Sequence, residues 1–441
     1  MKANENAIYF LSLSLENVRC FSDRQTLDLS DGKGKPARWT VILGNNGTGK
    51  TTLLQVLAGM EPVKGDNVAD ESTDVRNLRL SMFRHSFYRP SGNQLMAEAR
   101  FAFDTIFDNT QPNNEASITY TDNQYFGTTE WSSDEFQKKS YKFKCYAYGA
   151  SRRLTRGMLS QELSEDTTIN LFNDQSTLIN AEEWLLQTDY IASKESEIQA
   201  QTKKNLSLIK EVLINLLPDV QDIQILSPSK DIPKPIVGFK TPDCPVNGWM
   251  NLDGLSLGYK TMIAWMVDLA AHMFQRYPNS PNPIAEPAVV LIDEIDLHLH
   301  PKWQRTIMAY LSERFVNTQF IVTAHSPLIV QAAENANIAV LKREGDQVVI
   351  HQHPQEVKGW RIDQLLTSDL FDLPSARSPH YESLLEQRRQ ILSKASLSEA
   401  DQTELKKLEE EIGDLPTAES ADDIEAMDII RRAAQILKQD P

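Results

Sequence analysis

Eight residues, GNNGTGKT at positions 44–51, restrict the fold more than any other stretch of this chain. They fit the pattern G-x-x-x-x-G-K-[ST], in which glycines let the backbone amides curl around phosphate groups. A strand-like run, RWTVILG, precedes the pattern, and an apolar helical run, LLQVLAGM, follows it. This strand–loop–helix order predicts a phosphate-binding loop in an α/β fold. The alternative is a glycine-rich turn with an incidental lysine.

The loop predicts that the chain binds ATP together with Mg²⁺. Lys50 would neutralise the β- and γ-phosphate oxygens, and Thr51 would place a hydroxyl on the metal ion. The start of the following helix would add its partial positive charge. The residues expected to bind the nucleotide here are Asn45, Asn46, Gly47, Thr48, Gly49, Lys50, Thr51 and Thr52.

A second stretch, AVVLIDE at 288–294, ends an apolar run with two acids. Apolar runs of this kind are typical of parallel strands buried on both faces. With a phosphate loop in the same chain, Asp293 is expected to hold Mg²⁺, directly or through water. Glu294 is expected to orient and deprotonate the attacking water. The alternative is a strand that ends in two solvated acids.

Length, charge and cysteine content limit the classes of protein to which the chain can belong. A chain of 441 residues is expected to divide into two or three sub-structures. A net charge of −16 argues against a general polyanion binder unless the basic residues are clustered. We expect no secretory signal and no membrane span, because no apolar run reaches about 18–20 residues. Cys20, Cys145 and Cys244 are expected to be reduced, mostly buried thiols of a cytoplasmic protein.

Strand patterns dominate the first 150 residues: IYFLSLSLENV, RQTLDLS, RWTVILG, RLSMFRHSF, RFAFDTIF, ASITYTD and YKFKCYAYG. A helical pattern then extends from Asn180, a capping residue, to about Leu217, where Pro218 stops it. One helix of about 35 residues would measure about 50 Å, which predicts an arm that protrudes from the core. A short hairpin or a dimer-packing helix is expected rather than one limb of a long coiled coil.

Two further motifs lie before and after the paired acids, and their order along the chain helps to identify the fold. LSLGYK, at 255–260, precedes the paired acids by about 35 residues, and TAHSP carries His325 directly after an apolar strand pattern. Together with the phosphate loop they resemble the motifs of ABC-type ATPases. The resemblance implies that Ser256 and Gly258 touch the γ-phosphate held by another subunit, with Lys260 counted among the nucleotide-binding residues. It implies that His325 contacts the γ-phosphate in catalysis; a structural histidine is the alternative.

The stretch LIDEIDLHLHPKWQ raises the question of a metal site. His298 and His300 are spaced so that a strand would place both rings on one face, a plausible pair of metal ligands. In ABC ATPases the residues after the catalytic glutamate form the D-loop, which packs across the dimer. Asp296 would be its aspartate and a nucleotide-site residue. We favour the D-loop interpretation, because no third metal ligand is placed nearby, and ordinary packing remains a further alternative.

The motifs resemble the heads of SMC, RecF and Rad50 proteins more than transporter ATPases. LENVRCF, with Arg19 and Phe21, is similar to the opening strand and turn of such heads, in which the equivalent arginine reaches the nucleotide. About 200 residues separate the phosphate loop from the signature, more than transporter ATPases have. The fold class implied is α/β: an ABC-ATPase head, which is a P-loop fold with a mixed sheet core, with an inserted helical arm and a helical C-terminal extension.

The predicted domain boundaries follow from these motifs. The head would comprise residues 1–150, with the phosphate loop, and residues 236–350, with the signature, the paired acids, the D-loop and His325. Residues 151–235 would form the insertion, and residues 351–441 the helical extension. The extension is acidic, so it is expected either to dock a basic partner or to form a solvated helical cap.

A wider set of motifs runs over nearly the whole chain: YGASRR, LINAEEWL, DEIDLHLHPKWQ, TAHSP and WRIDQLLTSDLFDLPSARSP. This set is similar to the PtuA-type ATPases of Septu anti-phage systems and their retron-associated relatives. The resemblance implies a homodimer or higher homo-oligomer that hydrolyses ATP and regulates or scaffolds a small HNH nuclease partner. No nuclease of its own is expected, since the C-terminal part lacks a Toprim pattern. The alternative is a DNA-repair or chromosome-associated head that binds DNA directly.

The chain departs from the ABC ATPase pattern at one position. This is the glutamine that those ATPases use to link Mg²⁺ to the rest of the head. After YKFKCYAYG, where it is expected, the chain offers Ser151, Arg152 and Arg153. Gln94 and Gln124 are other candidates. The sequence therefore does not place this residue.

A basic stretch, residues 138–156, has seven Lys or Arg, no acid and four Tyr or Phe. This mixture suits contact with phosphates and bases. It also suits nucleotide or partner contact, or a strand edge with one solvated face. In an acidic chain, this stretch is the best candidate for a nucleic-acid surface.

Overall fold

The computed structural model describes most of the chain in ranges separated by short gaps. These are residues 7–64, 76–82, 86–87, 94–104, 107, 114–123, 127–154, 163–228, 234–242, 248–353, 357, 359–373, 375–394 and 398–412.

The strands, in chain order, are β1 (Ile8–Glu16), β2 (Gln25–Asp28), β3 (Trp39–Gly44), β4 (Pro62–Lys64), β5 (Arg76–Leu78), β6 (Leu95–Phe103), β7 (Asn114–Asp122), β8 (Gly127–Trp131), β9 (Cys145–Tyr148), β10 (Arg153–Leu154), β11 (Thr177–Leu178), β12 (Asp222–Leu226), β13 (Ile236–Lys240), β14 (Met250–Asn251), β15 (Ala288–Ile292), β16 (Thr318–Thr323), β17 (Asn337–Glu344) and β18 (Gln347–His353).

The α-helices are α1 (Lys50–Gly59), α2 (Arg79–Met82), α3 (Asp134–Lys139), α4 (Ile169–Phe172), α5 (Ala181–Ser193), α6 (Gln199–Leu216), α7 (Leu257–Arg276), α8 (Pro301–Gln304), α9 (Ile307–Arg314), α10 (Pro327–Ala332), α11 (Ile362–Leu366), α12 (Pro379–Leu392) and α13 (Glu399–Ile412).

A six-stranded sheet, in the order β18-β17-β3-β16-β15-β9, organises the fold. Strands β17, β3, β16, β15 and β9 are parallel, and β18 closes one edge antiparallel to β17. Every residue of β15 and β16 is buried, as their apolar runs predict for strands covered on both faces. Parallel strands end at the same edge, so the segments after β3, β9, β15 and β16 meet there.

A five-stranded antiparallel sheet, β2-β1-β6-β7-β8, forms a second layer. Its apolar side chains share one core with α1 and the inner face of the six-stranded sheet. Phe10, Phe101 and Phe143 lie at the centre of this core, with ring centroids 4.9–5.3 Å apart. The α/β class with a mixed sheet core, predicted from the motifs, is confirmed.

The long helix α7 covers the edge of the six-stranded sheet near β9. Fifteen of its twenty residues are buried, which explains why its sequence is apolar on nearly all sides. Its Trp265 ring lies 5.8 Å from that of Tyr148 at the end of β9. The Tyr148 hydroxyl donates to Asp268 Oδ2 of α7 over 3.0 Å. The helix and the end of β9 are thereby fixed to each other.

The single helix predicted for residues 180–217 is wrong, because the chain folds there as two helices, α5 and α6. Asn180 caps α5 as expected, accepting from the Glu183 amide. Residues 193–197, SKESE, then interrupt the pattern: they offer no apolar side chain to bury, and the Ser193 hydroxyl bonds back to the Tyr190 carbonyl. The result is the short hairpin that the sequence allowed.

This hairpin packs on the head instead of protruding from it. The Tyr310 hydroxyl of α9 donates to the Val212 carbonyl of α6 over 2.5 Å, and Arg314 Nη1 reaches Glu211 Oε1 over 2.6 Å. Five apolar side chains of α6 are buried: Leu206, Ile209, Val212, Leu213 and Leu216. Their burial offsets the conformational entropy of ordering the helix.

The predictions for two strands, for the cysteines and for membrane spans can also be compared with the structure. The strand predicted for RLSMFRHSF is wrong at its start, where residues 79–82 form the short helix α2. The ASITYTD strand is confirmed as part of β7. Cys145 is fully buried, Cys20 is partly exposed, and Cys244 lies outside the described residues. No helix among the described residues is both long enough and apolar enough to cross a bilayer.

A second compact unit begins at Leu366, and its described part contains α12 and α13. Helix α13 opens with a capping contact, in which the Ser398 hydroxyl lies 2.7 Å from Asp401 Oδ2 and accepts from the Asp401 amide. Lys394 Nζ also contacts Asp401. These contacts lower the pKa of the Asp401 carboxyl, first through the Lys394 hydrogen bond, to about 2. The helical pattern after residue 412 lies outside the described residues.

A pair of substitutions tests whether the hairpin is part of the head. Leu213 is fully buried, whereas Ile198 at the start of α6 is 58% exposed. We expect Leu213→Ala to lower the free energy of unfolding by about 2–5 kcal/mol, because it leaves a cavity. Ile198→Ala should change it by less than about 0.5 kcal/mol. Urea unfolding followed by circular dichroism measures both, and equal effects would contradict the packing described.

Candidate functional site

The phosphate loop lies between β3 and α1, as the sequence predicted. Gly49 has a φ of 87°, and a Cβ there would lie 2.5 Å from the Cys20 sulfur, so the position requires glycine. Asn45 and Asn46 are exposed, and the Asn45 carbonyl accepts from the Thr48 hydroxyl over 2.8 Å. The loop is therefore closed by a bond from the Thr48 side chain to its own backbone, directly before the start of α1.

Lys50 is buried although it carries charge. Its Nζ donates to the carbonyls of Gly44, over 2.8 Å, and Asn45, over 3.0 Å. Burial lowers the pKa of Lys50, and the nearby charges of Asp293, Glu294 and Asp296 act in the opposite direction. The Lys50 ammonium group is thus held against the carbonyls of its own loop. From this position it would contact the phosphate oxygens of a bound nucleotide.

Three side chains converge where Mg²⁺ is expected. Thr51 Oγ1 donates to Asp293 Oδ2 over 2.8 Å, and Thr323 Oγ1 donates to Asp293 Oδ1 over 2.6 Å. A hydroxyl and a carboxylate are the oxygen ligands that Mg²⁺ uses beside phosphates in such loops. Thr51 and Asp293, which lie 242 residues apart in the chain, therefore fit the predicted metal position.

Glu294 follows Asp293 in a tight turn, with a φ of 50° in the left-handed region. Its amide donates to Thr323 Oγ1 over 2.7 Å, so one hydroxyl fixes both acids of the pair. Sequence analysis missed Thr323, although it ends β16 two residues before His325. Its buried position at the end of a strand next to the paired acids was the available signal.

Arg19 is placed against α1. Its Nη1 donates to Thr52 Oγ1 and Gln55 Oε1, each over 3.1 Å, and its guanidinium lies 5.1 Å from the centre of the Phe87 ring. Burial lowers the pKa of Arg19. A cation so anchored beside the phosphate loop is consistent with the nucleotide contact that the resemblance implied.

The signature residues open helix α7. Ser256 is the N-cap and is exposed, and its side chain makes no capping hydrogen bond. Lys260 Nζ turns back to the Asp253 carbonyl over 2.7 Å. Within the described residues, no hydrogen bond joins Ser256 or Gly258 to the phosphate loop of the same chain. Ser256 and Leu257, at the start of this twenty-residue helix, are thus exposed.

Gly258 has a role within the chain that its motif did not reveal. A Cβ at this position would lie 2.3 Å from the His298 carbonyl oxygen, closer than any real contact. The signature helix therefore lies directly on the backbone that follows the paired acids. A side chain at Gly258 would push that backbone away.

The D-loop segment is fixed from two sides. Asp296 Oδ2 accepts from the His325 amide over 3.0 Å. Gln304 Nε2 donates to the carbonyls of Asp296, over 3.3 Å, and Leu299, over 3.0 Å, while its Oε1 accepts from the Ser326 hydroxyl. The histidine and the D-loop aspartate are thereby brought together, and the His325 side chain is exposed. Gln304 is a further residue that the sequence analysis missed.

The structure gives no support to a metal pair at His298 and His300. His298 is exposed with a φ of 63°, and His300 caps α8 by accepting from the Lys302 amide. The described residues contain no group of three or more His, Cys, Asp or Glu side chains placed to hold a metal ion. These histidines shape the D-loop and its exit, because one forms the strained turn and the other starts the next helix.

No described glutamine occupies the position expected after β9. Gln94 is exposed at the start of β6, and Gln124 lies outside the described residues. The residue that reaches the paired acids from β9 is Arg152, whose Nη2 donates to the carbonyls of Asp293, over 2.6 Å, and Glu294, over 2.5 Å.

The basic stretch 138–156 does not form a stacking surface in its described part. Phe143, Tyr146 and Tyr148 are at most 4% exposed. Lys139 bonds to Asp104 and Glu135, and Lys144 to the buried Glu61. These three rings are therefore not available to stack on bases, whereas nucleic-acid contact by the exposed basic residues of the stretch stays a prediction.

Two family models match adjoining parts of the chain. Residues 12–224 match the model described as "AAA domain", and residues 224–331 match "AAA domain, putative AbiEii toxin, Type IV TA system". The two matches together contain the phosphate loop, the signature, the paired acids and His325. They support an AAA-type ATPase domain.

Individual proteins similar to this chain include, by name, a Septu protein and a retron ATPase. The chain is 27% identical over 391 residues to the Septu protein PtuA of Bacillus mycoides (strain KBAB4), covering 88% of this chain and 48% of the relative. It is 28% identical over 254 residues to the "Retron Ec83 probable ATPase" of Escherichia coli, covering 57% of this chain and 42% of the relative. The predicted resemblance to Septu and retron ATPases is confirmed. The chain spans about half the length of these two relatives.

Solved SMC heads are also similar. A structure of the SmcHead bound to the C-winged helix domain of ScpA is 13% identical, covers 78% of this chain and 97% of that chain, and has a TM-score of 0.45. At this score the likeness adds nothing to the fold assignment, which rests on the strand order and the family matches.

The two threonines of β16 allow a matched test of how the paired acids are held. Thr323→Val keeps the shape of the side chain but removes the bonds to Asp293 and to the Glu294 amide. We expect the free energy of unfolding to fall by about 1–3 kcal/mol, since both groups lose a buried partner. ATP turnover should fall roughly tenfold, equivalent to about 1.4 kcal/mol of barrier.

Thr318→Val is the control. Thr318 is fully buried on the same strand, and its hydroxyl has no hydrogen-bond partner among the described residues. Its replacement should leave stability unchanged or slightly raised, with normal turnover. Thermal unfolding and steady-state ATP hydrolysis compare the two variants, and equal losses in both would rule out the role assigned to Thr323.

Proposed function

We propose that this chain is an ATP-hydrolysing, SMC-like ABC ATPase that assembles through nucleotide-bound dimers and regulates or scaffolds a nuclease partner in anti-phage defence. The observation that carries the ATPase proposal is the convergence of Lys50, Thr51, Asp293 and Glu294 at one edge of the sheet. These residues come from two distant segments, and each has the chemical group that its proposed role requires.

The proposed mechanism divides the work between these groups. The loop amides and Lys50 bind the phosphates, and Thr51 with Asp293 would hold Mg²⁺, which would supply positive charge against the phosphates. Glu294 accepts a proton from the attacking water. His325, exposed at the end of β16 and fixed through its amide to Asp296, contacts the γ-phosphate.

Dimerisation is supported by the exposed start of α7. Ser256 at the start of this helix is exposed, and in the proposed dimer the first turn approaches the ATP held by the other subunit. A site completed by two chains makes ATP a switch for assembly, because ligand that binds across the interface stabilises the dimer. Homodimers, or higher oligomers built from them, are therefore expected.

The partner is proposed from the relatives. They are a Septu protein and a retron ATPase, and PtuA-type proteins resemble this chain along most of its length. A small HNH nuclease is the expected partner, and the chain acts in the cytoplasm. The alternative of a repair-type head that binds DNA directly has less support, because the described rings Phe143, Tyr146 and Tyr148 of the basic stretch are buried.

The central test is Glu294→Gln. We expect it to bind ATP with nearly normal affinity but to hydrolyse it about 100-fold more slowly or worse, because a general base contributes about that much. The variant should accumulate as an ATP-bound dimer, detectable by native mass spectrometry or light scattering. Glu313→Gln on α9, where the side chain is exposed, serves as a control and should behave as the parent chain.

The same measurement tests the partner when the protein is purified from cells that carry its neighbouring genes. A co-purifying small nuclease supports the defence proposal. A bare dimer, or a dimer that carries duplex DNA released by salt, supports the repair-type alternative. Rapid ATP turnover by Glu294→Gln would refute the role of Glu294 itself.

Whereas Glu294→Gln tests the chemical step, Lys50→Ala tests ATP binding. It removes the buried cation that is poised to meet the phosphates, so ATP affinity and ATP-dependent assembly should both be lost. Titration with a fluorescent ATP analogue measures the affinity, and size-exclusion chromatography with and without ATP measures assembly. An unchanged ATP affinity would contradict the assignment of the phosphate loop.

A further inference from the structure

Arg152 lies in the loop between β9 and β10, beside the paired acids. It is 3% exposed, and its φ of 31° is in the left-handed region that non-glycine residues seldom adopt. Gly149, at the start of this loop, donates its amide to Asn170 Oδ1 over 2.9 Å. The loop is therefore fixed at its start, and the strained conformation of Arg152 is maintained by its surroundings.

The guanidinium of Arg152 bonds to main chain. Its Nε donates to the Gly149 carbonyl over 3.0 Å, and its Nη2 donates to the carbonyls of Asp293 and Glu294 over 2.6 and 2.5 Å. The Asp293 amide in turn donates to the Tyr148 carbonyl over 2.8 Å. Both carbonyls of the acid pair are thus held from β9, on the side opposite to Thr323.

The charge of Arg152 is unusual for so buried a group. Burial lowers the pKa of Arg152 to about 10, and Asp293, Glu294 and Asp296 oppose that shift. Among the described residues, none of its hydrogen bonds ends on a carboxylate. A buried cation is costly to a fold unless opposite charges lie nearby, and here the carboxylates of the paired acids and Asp296 supply them.

We propose that Arg152 is a positioning residue for ATP hydrolysis, which holds the turn of Asp293 and Glu294 from behind and directs the Glu294 carboxylate towards the attacking water. Its positive charge offsets the three carboxylates that the turn brings together. This inference rests on the proposed ATPase function and adds to it a residue that occupies the position after β9 where no glutamine is present.

The expected consequence is specific to the chemical step. Arg152 contacts neither the phosphate loop nor Lys50 through any hydrogen bond among the described residues, and Lys50 is held by carbonyls of its own loop. Loss of Arg152 should therefore leave ATP binding intact and misplace Glu294. A small displacement of a catalytic group is enough to slow a reaction greatly.

The test compares Arg152→Gln, Arg152→Lys and Arg153→Gln in the full chain. Arg153 is the matched control, because it is the adjacent arginine and is exposed. We expect Arg152→Gln to lower kcat about 10- to 100-fold while the affinity for a fluorescent ATP analogue changes less than about twofold. Arg152→Lys, which keeps the charge, should recover part of kcat, and Arg153→Gln should match the parent chain.

Two results would overturn the inference. Arg152→Gln could turn over ATP as fast as Arg153→Gln, or its ATP affinity could fall together with kcat, which would indicate a merely structural role. Lys50→Ala, measured alongside, distinguishes the two proposals. If the parent chain hydrolyses ATP no faster than Lys50→Ala, the proposed ATPase function fails and the inference fails with it. If the parent is active and Arg152→Gln is unchanged, the inference alone fails.

Discussion

The crowding of three carboxylates in four residues, Asp293, Glu294 and Asp296, is the constraint on which the site depends. Like charges at this separation repel one another, and partial burial strengthens the repulsion. Two hydrogen-bond donors hold the turn. Thr323 contacts the Asp293 carboxylate from one side, and Arg152 contacts the carbonyls of Asp293 and Glu294 from the other. The acids are thereby held in a conformation that the isolated turn would not keep.

The strand order supplies those donors. Because β15 lies between β16 and β9, the segment after it is flanked by the ends of both neighbours, which contribute Thr323 and Arg152. Strand β3 lies one place further along, and its loop reaches the acids through Thr51 at the start of α1. Residues from four distant parts of the chain meet because parallel strands share one carboxyl edge.

Much of this arrangement could be predicted from the sequence. The phosphate loop and the apolar strand that ends in acids are local patterns, and their chemistry places Lys50, Thr51 and Asp293 together. The break between α5 and α6 could not be read from periodicity alone, because polar residues on a solvated helix face look the same as polar residues in a turn. The contacts of Arg152 depend on strand order, which no local pattern records.

The contact between Gly258 and the His298 carbonyl links the two halves of the proposed dimer site within one chain. Any ligand that engages the start of α7 acts on a helix that lies against the D-loop backbone, and that backbone carries Asp296 to the His325 amide. A displacement of α7 would therefore press on the segment that follows Glu294. Because coupling between sites is reciprocal, nucleotide bound at the acids would in turn bias the position of the signature helix.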